Sequence, residues 1–189
     1  MPIADDAVER PMALLDRDGV INRDVGYAFR PDQIEWTEGL FAALRRLCAA
    51  GYRVVVVTNQ SGVARGFYSE ADVEALHRWM ADAIAAQGGH VDAFYFCPYH
   101  PDAAVDEFRC DHPDRKPRPG MLNKALQRFA TNRPRSFLIG DQHSDLAAAQ
   151  AAGIAGYLFE GGNLDALLVR ILKISKSPIR KFPFNSIYL

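Results

Sequence analysis

Two aspartates separated by one residue follow an apolar run near the start of the chain. Leu14-Leu15 continues directly into Asp16-Arg17-Asp18. One carboxylate of such a pair can attack phosphorus, and its neighbour can act as acid towards the leaving group and then as base towards water. Because Asp is also common in turns after strands, the pair needs support from other segments before it indicates a site.

Two further apolar runs end in polar side chains that suit the same chemistry. One runs into Thr58 and Asn59, and another runs into Asp141. The carboxyl ends of parallel strands meet at one edge of a sheet, so we expect these side chains to share a crevice with Asp16 and Asp18. Carboxylates in one crevice repel each other unless they share a cation, and Mg²⁺ prefers oxygen ligands of this kind. The sequence therefore predicts a magnesium-dependent site for phosphate chemistry.

The elements that must position these side chains alternate along the chain. Short apolar runs separated by amphipathic segments indicate repeated β-α units and a mostly parallel sheet, which is an α/β fold. Val54 to Val57 is β-branched throughout, as expected for a buried central strand, and Ser69 with Asp72 resembles a capping box at the start of the clearest helix. We predict strands at Met12 to Leu15, Tyr52 to Val57, Ala93 to Phe96, Ser136 to Ile139 and Gly156 to Phe159, and helices at Gly39 to Ala50, Ser69 to Gln87, Gly120 to Ala130 and Ser144 to Ala152.

The composition narrows the class of protein. The chain has 189 residues and 49% hydrophobic content, which suits one globular domain. Its net charge of -1 offers no global attraction for nucleic acid or an anionic membrane. No apolar run approaches the roughly 20 residues that span a bilayer, and the odd number of cysteines, 3, does not suggest a disulfide framework. We expect a cytoplasmic monomer that binds neither nucleic acid nor membrane.

Four segments carry motifs in a characteristic order. In one-letter code they read DRDGVIN from Asp16, TNQSGVARG from Thr58, RKP from Arg115 followed by PGM from Pro119, and GD from Gly140 followed by Asp145. Together they resemble the haloacid dehalogenase superfamily of phosphatases, subfamily IIIA, and within it the branch that contains heptose-bisphosphate and histidinol-phosphate phosphatases. The resemblance implies a Rossmann-like three-layer sandwich and a phosphatase that acts on a small phosphorylated molecule.

The resemblance also implies a role for each matching position. Asp16 would be phosphorylated, and Asp18 would protonate the leaving group and then activate water. Mg²⁺ would be held by the Asp16 carboxylate, the Asp18 main-chain carbonyl and Asp141. Thr58 and Lys116 would hold the transferring phosphoryl oxygens and stabilise their charge in the transition state.

Further positions would complete the site. The resemblance implies that Asn59 positions the nucleophile or the phosphoryl group, that Arg65 contacts substrate, and that Arg115 reaches the sugar or a second phosphate. Asp145 would not bind the metal itself but would support the residues that do. Gln142 departs from the pattern, since the branch usually has lysine there, and loss of that charge is expected to weaken the orientation of the carboxylates.

The spacing of the motifs leaves no room for a large cap domain. Only a short connection separates Asn22 from the helix near Glu38, and one helix, one strand and a loop separate Gly66 from Arg115. We therefore expect substrate contacts to come from loops. The predicted phosphatase domain covers residues 1–172, and residues 173–189 form a C-terminal extension that is basic and then aromatic.

The loop before Arg115 departs from the branch in its metal ligands. Many members hold a structural zinc there, but this chain has Tyr99 and Asp114 where the branch places ligands. A shifted zinc site has acceptable ligand types. Its candidate ligands are Cys97, His100, Cys110 and His112. We favour the alternative, a metal-free loop held by prolines and hydrogen bonds.

Several functions are compatible with these motifs. The leading prediction is removal of the C7 phosphate of D-glycero-D-manno-heptose 1,7-bisphosphate, and histidinol-phosphate phosphatase is the close alternative. A DNA 3'-phosphatase is more distant, because the chain lacks a basic stripe. A catalytically silent binding module is the alternative from another class, against which the intact carboxylates and lysine argue. We interpret three histidines as surface residues and two tryptophans as packing residues: His77, His90, His143, Trp36 and Trp79.

Overall fold

The central feature of the fold is a five-stranded parallel sheet in the order β3-β2-β1-β4-β5. It is seen in a computed structural model that describes residues 8–175. The chain runs from β1 to β2 and β3 on one side and later crosses to β4 and β5 on the other, so β1 lies at the switch in strand order where α/β proteins bind ligands. The strands are β1 (Met12–Leu15), β2 (Arg53–Asn59), β3 (Ala93–Cys97), β4 (Phe137–Gly140) and β5 (Ala155–Leu158).

Helices cover both faces of this sheet. Alternate residues of β1 point to opposite faces, as strand geometry requires. Ala13 and Leu15 pack in the core beneath α1, α3 and α6, whereas Met12 and Leu14 pack in the core beneath α4 and α5. Within residues 8–175 the α-helices are α1 (Leu40–Ala49), α2 (Ser61–Ala64), α3 (Glu70–Ala86), α4 (Gly120–Arg128), α5 (His143–Ala151) and α6 (Leu164–Ser175).

The predicted α/β three-layer architecture is confirmed. β1 has the predicted bounds, and the other predicted elements differ from the observed ones by at most two residues at either end. The sequence pattern missed two helices, the short α2 and the longer α6. Helix α6 supplies Leu164, Leu168 and Ile171 to the core and continues past residue 172, where the domain boundary was expected. The rest of the predicted extension, residues 176–189, lies outside the described residues.

Helix α3 begins at the predicted capping box and has one face buried in the core. Ser69 Oγ accepts a hydrogen bond from the Asp72 amide at 3.2 Å, and the Asp72 carboxylate accepts from the Ser69 amide at 2.8 Å, which confirms the predicted cap. The buried face of α3 includes His77, whose exposed fraction is 5%. The interpretation of His77 as a surface residue is therefore wrong. It lies four residues after Val73 and three before Met80, on the apolar face of the helix.

The two connections that could have held a cap domain are short. The segment between β1 and α1 contains one 3₁₀ turn at Pro31–Gln33, and the segment between β3 and α4 contains another at Asp106–Phe108. The carboxyl edge of the sheet is therefore bordered by loops, as predicted. In the part of the chain that the structure describes, no helix has both the length and the apolar character needed to cross a membrane.

Candidate active site

The polar strand ends meet in one cavity at the carboxyl edge of the sheet. The cavity has a volume of about 380 Å³. Asp16 follows β1, Thr58 lies at the end of β2, and Asp141 follows β4, so three neighbouring strands contribute to its lining. A larger cavity, of about 480 Å³, lies at the opposite edge beside α1 and α6, but its described lining contains no carboxylate. The predicted convergence of the motifs is therefore seen in the first cavity.

A buried lysine bridges two of the carboxylates in this cavity. Lys116 Nζ lies 2.9 Å from Asp16 Oδ1 and 2.6 Å from Asp145 Oδ1, and it donates a hydrogen bond to the Val57 carbonyl at 2.9 Å. Burial alone lowers the pKa of Lys116, but the two carboxylates outweigh it and raise the pKa above its ordinary value. Lys116 is therefore charged and held rigidly, which suits a group that must meet phosphoryl oxygens.

The carboxylates outnumber the cation between them. Burial raises the pKa of Asp16 to about 7, with Lys116 opposing the rise and Asp145 adding to it. Burial also raises the pKa of Asp141, with Asp145 again adding to the rise. Oxygen atoms of Asp16, Asp141 and Asp145 lie within 4.8 Å of one another, and within residues 8–175 no other group of three or more acidic, His or Cys side chains is placed to hold a metal. This all-oxygen donor set fits a hard divalent cation such as Mg²⁺.

The three carboxylates differ in their protein partners, and so in how well each is placed to contact a metal. Asp145 Oδ1 faces Lys116, and Asp145 Oδ2 accepts a hydrogen bond from the Gln142 amide at 3.0 Å, so both oxygens have protein partners. Gly19 has φ +85°, and a Cβ there would lie 2.4 Å from Asp141 Oδ2, so only glycine allows the loop after β1 to approach Asp141. Asp16 and Asp141 are therefore better placed than Asp145 to contact a metal.

Gln142 keeps a hydrogen bond to the carboxylate group although it lacks the charge of lysine. Its Nε2 donates to Asp141 Oδ2 at 2.9 Å. This amide lowers the pKa of Asp141 and so opposes the effect of burial. The orientation of Asp141 is therefore supported by the residue that the sequence marked as a weakness.

The Asp18 carboxylate lies apart from the metal group and accepts several hydrogen bonds. Arg17 donates to both of its oxygens, with Nη2 at 2.8 Å from Oδ2 and Nε at 3.2 Å from Oδ1. Asn22 Nδ2 donates to Oδ1 at 2.9 Å, and Gln60 Nε2 donates to Oδ2 at 3.0 Å. The Tyr68 hydroxyl in turn donates to Gln60 Oε1 at 2.8 Å. The carboxylate expected to transfer protons is therefore oriented from several sides.

Asn59 positions the lysine loop. Its Nδ2 donates to the Lys116 carbonyl at 3.0 Å, and its Oδ1 accepts from the Lys116 amide at 3.0 Å. This pair of hydrogen bonds ties the loop before α4 to the end of β2. The sequence had assigned Asn59 to the nucleophile or the phosphoryl group, whereas its side-chain partner in the structure is the backbone of Lys116.

Neither Arg65 nor Arg115 is among the residues that line this cavity. Arg115 is half-buried and donates from Nη1 to the Tyr99 carbonyl at 3.2 Å. Burial lowers the pKa of Arg115, and the nearby charge of Arg65 lowers it further. The two guanidinium groups thus form a basic pair, and the structure does not bring them to the carboxylates as it does Lys116.

The loop between β3 and α4 is held by stacking, hydrogen bonds and an ion pair. Tyr99 and His112 stack with ring centroids 4.2 Å apart, and Asp114 forms an ion pair with Lys124. His112 Nδ1 also accepts from the Asp114 amide at 3.1 Å. Cys97 is buried at the end of β3, whereas Cys110 is exposed. In the described chain, these cysteines do not join the histidines in a group of three or more potential ligands.

We expect purified protein to contain substoichiometric zinc. Because the stack and the ion pair already hold the loop, Cys110→Ser should leave the melting temperature near that of the parent. The measurements are elemental analysis and thermal unfolding. One zinc per chain that survives dialysis against a weak chelator, together with a lower melting temperature for Cys110→Ser, would contradict a metal-free loop, because structural zinc contributes folding free energy directly.

Sequence reasoning gave no role to Arg17, Gln60 and His77. Arg17, with an exposed fraction of 0%, is among the largest fully buried side chains of the described residues. Gln60 lies inside a recognised motif, so its position was available as a signal. His77 offered only its place on the apolar face of α3. Arg17 also lies inside a recognised motif, but no signal in a single sequence separates a buried guanidinium from the exposed arginine that is the ordinary case.

The chain is similar in sequence to a known protein family and to known relatives. The HAD-hydrolase-like family model matches residues 114–175. The chain is 48% identical over 168 residues to D-glycero-beta-D-manno-heptose-1,7-bisphosphate 7-phosphatase from Rhodopseudomonas palustris. This match covers 88% of this chain and 92% of the relative. It is 42% identical over 140 residues to D-glycero-alpha-D-manno-heptose-1,7-bisphosphate 7-phosphatase from Burkholderia mallei, covering 74% of each chain.

Solved structures show the same fold. A candidate HAD-like phosphatase from Mesorhizobium loti matches with a TM-score of 0.81 and 34% identity, covering 89% of this chain and 87% of the other. The D,D-heptose 1,7-bisphosphate phosphatase from B. bronchiseptica, in complex with magnesium and phosphate, matches with a TM-score of 0.70 and 37% identity. That match covers 85% of this chain and 86% of the other.

Proposed function

Because this chain belongs to the heptose-1,7-bisphosphate 7-phosphatase family of HAD-like hydrolases, we propose that it removes the C7 phosphate of D-glycero-D-manno-heptose 1,7-bisphosphate through an aspartyl-phosphate intermediate. One observation carries the mechanism: Asp16 lies at the switch in strand order, buried and paired with Lys116, beside Asp141 and Asp145. A buried carboxylate held by a cation, with further carboxylates beside it, suits nucleophilic attack on a phosphoryl group.

In the first half of the reaction, Asp16 is the nucleophile. A carboxylate oxygen forms a bond to phosphorus while the bond from phosphorus to the sugar oxygen breaks. Asp18 gives its proton to the departing oxygen, which leaves as an alcohol. Lys116 and Thr58 hold the phosphoryl oxygens and stabilise the charge that they carry in the transition state.

In the second half, water attacks the phosphorus of the aspartyl phosphate. Asp18, now ionised, accepts a proton from that water, and the bond between phosphorus and Asp16 breaks. Phosphate leaves, and both carboxylates return to their starting protonation states. Asp18 therefore acts in both halves, first as acid and then as base.

The residues that would hold Mg²⁺ are the Asp16 carboxylate, the Asp18 main-chain carbonyl and Asp141. When bound, Mg²⁺ supplies positive charge that screens the phosphoryl oxygens from these carboxylates. Asp145 then serves to hold Lys116 in place through the ion pair of 2.6 Å.

Removal of Mg²⁺ is expected to abolish turnover. Without a cation, the charges of Asp16 and Asp141 repel the incoming phosphate. Phosphate release is measured after exhaustive chelation and again after Mg²⁺ is restored, and excess Ca²⁺ should inhibit because its looser, higher-coordinate shell disturbs the in-line geometry. Full activity in the chelated protein would count against the proposed site.

The substrate assignment rests on the relatives and on two guanidinium groups that lie near each other. A bisphosphate has a second phosphate that needs a partner, and Arg65 with Arg115 provides adjacent guanidinium groups suited to phosphate oxygens. Within residues 8–175 no large cap covers the carboxyl edge, which is bordered by loops, and such an edge suits a substrate of sugar size. Relatives acting on both anomers lie above 40% identity, so both anomers belong in the test.

The test is a phosphate-release assay with purified protein and Mg²⁺. The substrates are the two anomers of D-glycero-D-manno-heptose 1,7-bisphosphate, histidinol phosphate and 3'-phosphorylated DNA. We expect the highest kcat/KM for a heptose bisphosphate, with one phosphate released per molecule and the phosphate at C1 retained. A higher kcat/KM for histidinol phosphate or DNA would overturn the substrate assignment but keep the mechanism, whereas no release from any substrate would favour a silent binding module.

A further inference from the structure

We propose that Arg17 is a positioning residue that sets the orientation of the Asp18 carboxylate, and that His77 holds Arg17 in place. The inference rests on the proposed function, because it assigns Asp18 to proton transfer. It concerns two buried side chains that have no part in holding the phosphoryl group or the metal.

The contacts between Arg17 and Asp18 define one orientation of the carboxylate. Nη2 of Arg17 lies 2.8 Å from Oδ2 and 3.1 Å from Oδ1, and Nε lies 3.2 Å from Oδ1. A guanidinium is planar and presents its donors in a rigid fork, so these bonds fix the plane of the carboxylate as well as its distance. Lysine, with a single ammonium group, cannot reproduce this geometry.

The guanidinium is also anchored in the core. Nη2 also donates to the Ala28 carbonyl at 2.9 Å, and Nη1 lies 3.5 Å from Nε2 of His77. Ala28 belongs to the loop between β1 and α1, and His77 belongs to α3, so two separate parts of the fold border Arg17. Because the side chain is fully buried, water cannot replace these partners.

His77 is suited to accept a hydrogen bond from Arg17. Its ring stacks on Phe94 with centroids 4.7 Å apart and meets the edge of Phe96 at 5.9 Å, so the two strand residues fix the ring plane. Burial lowers the pKa of His77 to about 3, and the charge of Arg17 contributes to the shift. A neutral imidazole with its proton on Nδ1 leaves Nε2 as an acceptor.

The proposed role has a consequence that a purely structural role lacks. Release of an alcohol from a sugar phosphate needs a proton from Asp18, whereas p-nitrophenol is acidic enough to leave as an anion. Hydrolysis of the aspartyl phosphate needs Asp18 as a base for either substrate. A misoriented Asp18 should therefore slow the first step for sugar phosphates only, and the second step for both.

The test compares Arg17→Lys with the parent on the heptose bisphosphate and on p-nitrophenyl phosphate. We expect kcat for the sugar phosphate to fall about 10²-fold or more with little change in KM, as for loss of general acid-base catalysis. The first turnover of p-nitrophenol release, measured with substrate in excess, should stay within about tenfold of the parental rate. It should appear as a burst followed by a slow steady rate, because the phosphoenzyme accumulates.

Variants of His77 keep the proposal testable if Arg17→Lys folds poorly. His77→Phe fills the space but removes the acceptor, and His77→Gln supplies an acceptor oxygen. We expect His77→Phe to show the same pattern as Arg17→Lys in weaker form, and His77→Gln to recover most of the lost kcat. Arg53→Lys is the matched control, because Arg53 is a buried arginine paired with Asp92 at the opposite edge of the sheet.

The outcomes separate this inference from the proposed function. The positioning role would be overturned if Arg17→Lys lowered kcat equally for both substrates and showed no burst of p-nitrophenol. In that case its melting temperature would fall only as much as that of Arg53→Lys. Equal kcat values in His77→Phe and His77→Gln would remove His77 from it. If the parent itself forms no phosphoenzyme on Asp16, the proposed mechanism fails first and the inference fails with it.

Discussion

Asp16→Asn is expected to abolish turnover while the protein keeps its fold. An amide has nearly the shape of a carboxylate but cannot form the phosphoryl bond, so we expect a loss of at least about 10⁴-fold in kcat. The fold should survive because Lys116 keeps its ion pair with Asp145. The substitution also removes a carboxylate whose pKa is raised chiefly by burial, so a group that is costly to bury in its charged form is replaced by a neutral one. The measurements are phosphate release, circular dichroism and thermal unfolding.

Two controls make the Asp16 result decisive. Asp82→Asn changes an exposed aspartate on α3 and should keep parental activity. Mass spectrometry of the intact protein excludes deamidation of the new asparagine back to aspartate. Activity within tenfold of the parent in such a preparation would remove Asp16 from the nucleophile role.

Lys116→Met is expected to impair both catalysis and stability. The variant keeps much of the side-chain volume but removes the cation between Asp16 and Asp145, which leaves both carboxylates buried without their partner. Breaking a buried ion pair in this way typically costs about 3–5 kcal/mol of unfolding free energy. Loss of the cation that meets the phosphoryl oxygens should lower kcat by about 10²- to 10³-fold. Denaturant unfolding and phosphate release measure the two effects separately.

Lys124→Met is the matched control for Lys116→Met. Lys124 also pairs with an aspartate, Asp114, but its side chain is 58% exposed. Surface ion pairs contribute about 0–1 kcal/mol, so we expect a small change in stability and parental kcat. If Lys116→Met and Lys124→Met behave alike, the assignment of Lys116 to the transferring phosphoryl group is wrong.

The strands and their ends were predictable because their signals are local. Val54 to Val57 combines β-branching with an apolar run, and that is enough to indicate a buried strand. The same reading located Asp16 and Asp141 directly after strands, and parallel pairing then brought them to one edge. Helix α6 was not predicted, although its buried residues Leu164, Leu168 and Ile171 have helical spacing in the sequence.

The contacts that the site residues make with each other were not predictable from the sequence. The sequence indicated Asn59 and Lys116 as separate contacts for substrate, but the structure pairs the side chain of one with the backbone of the other across 57 positions. It also indicated Asp18 without Arg17 and placed His77 on the surface, although Arg17 and His77 meet across 60 positions in the interior. Contacts of this range depend on how α3 and the loops pack on the sheet, which no local pattern specifies.

Local sequence patterns determine the secondary structure, whereas the contacts of the site residues depend on tertiary packing. Residue type and periodicity determine which segments form strands and helices, and the rule for parallel sheets then determines which strand ends share an edge. Burial, charge compensation and the choice among hydrogen-bond partners arise only when the layers pack, because each depends on groups that are distant in the chain. Arg17 illustrates this: next to Asp18 in sequence it is an ordinary arginine, and enclosed by Ala28 and His77 it becomes a fixed donor to the carboxylate.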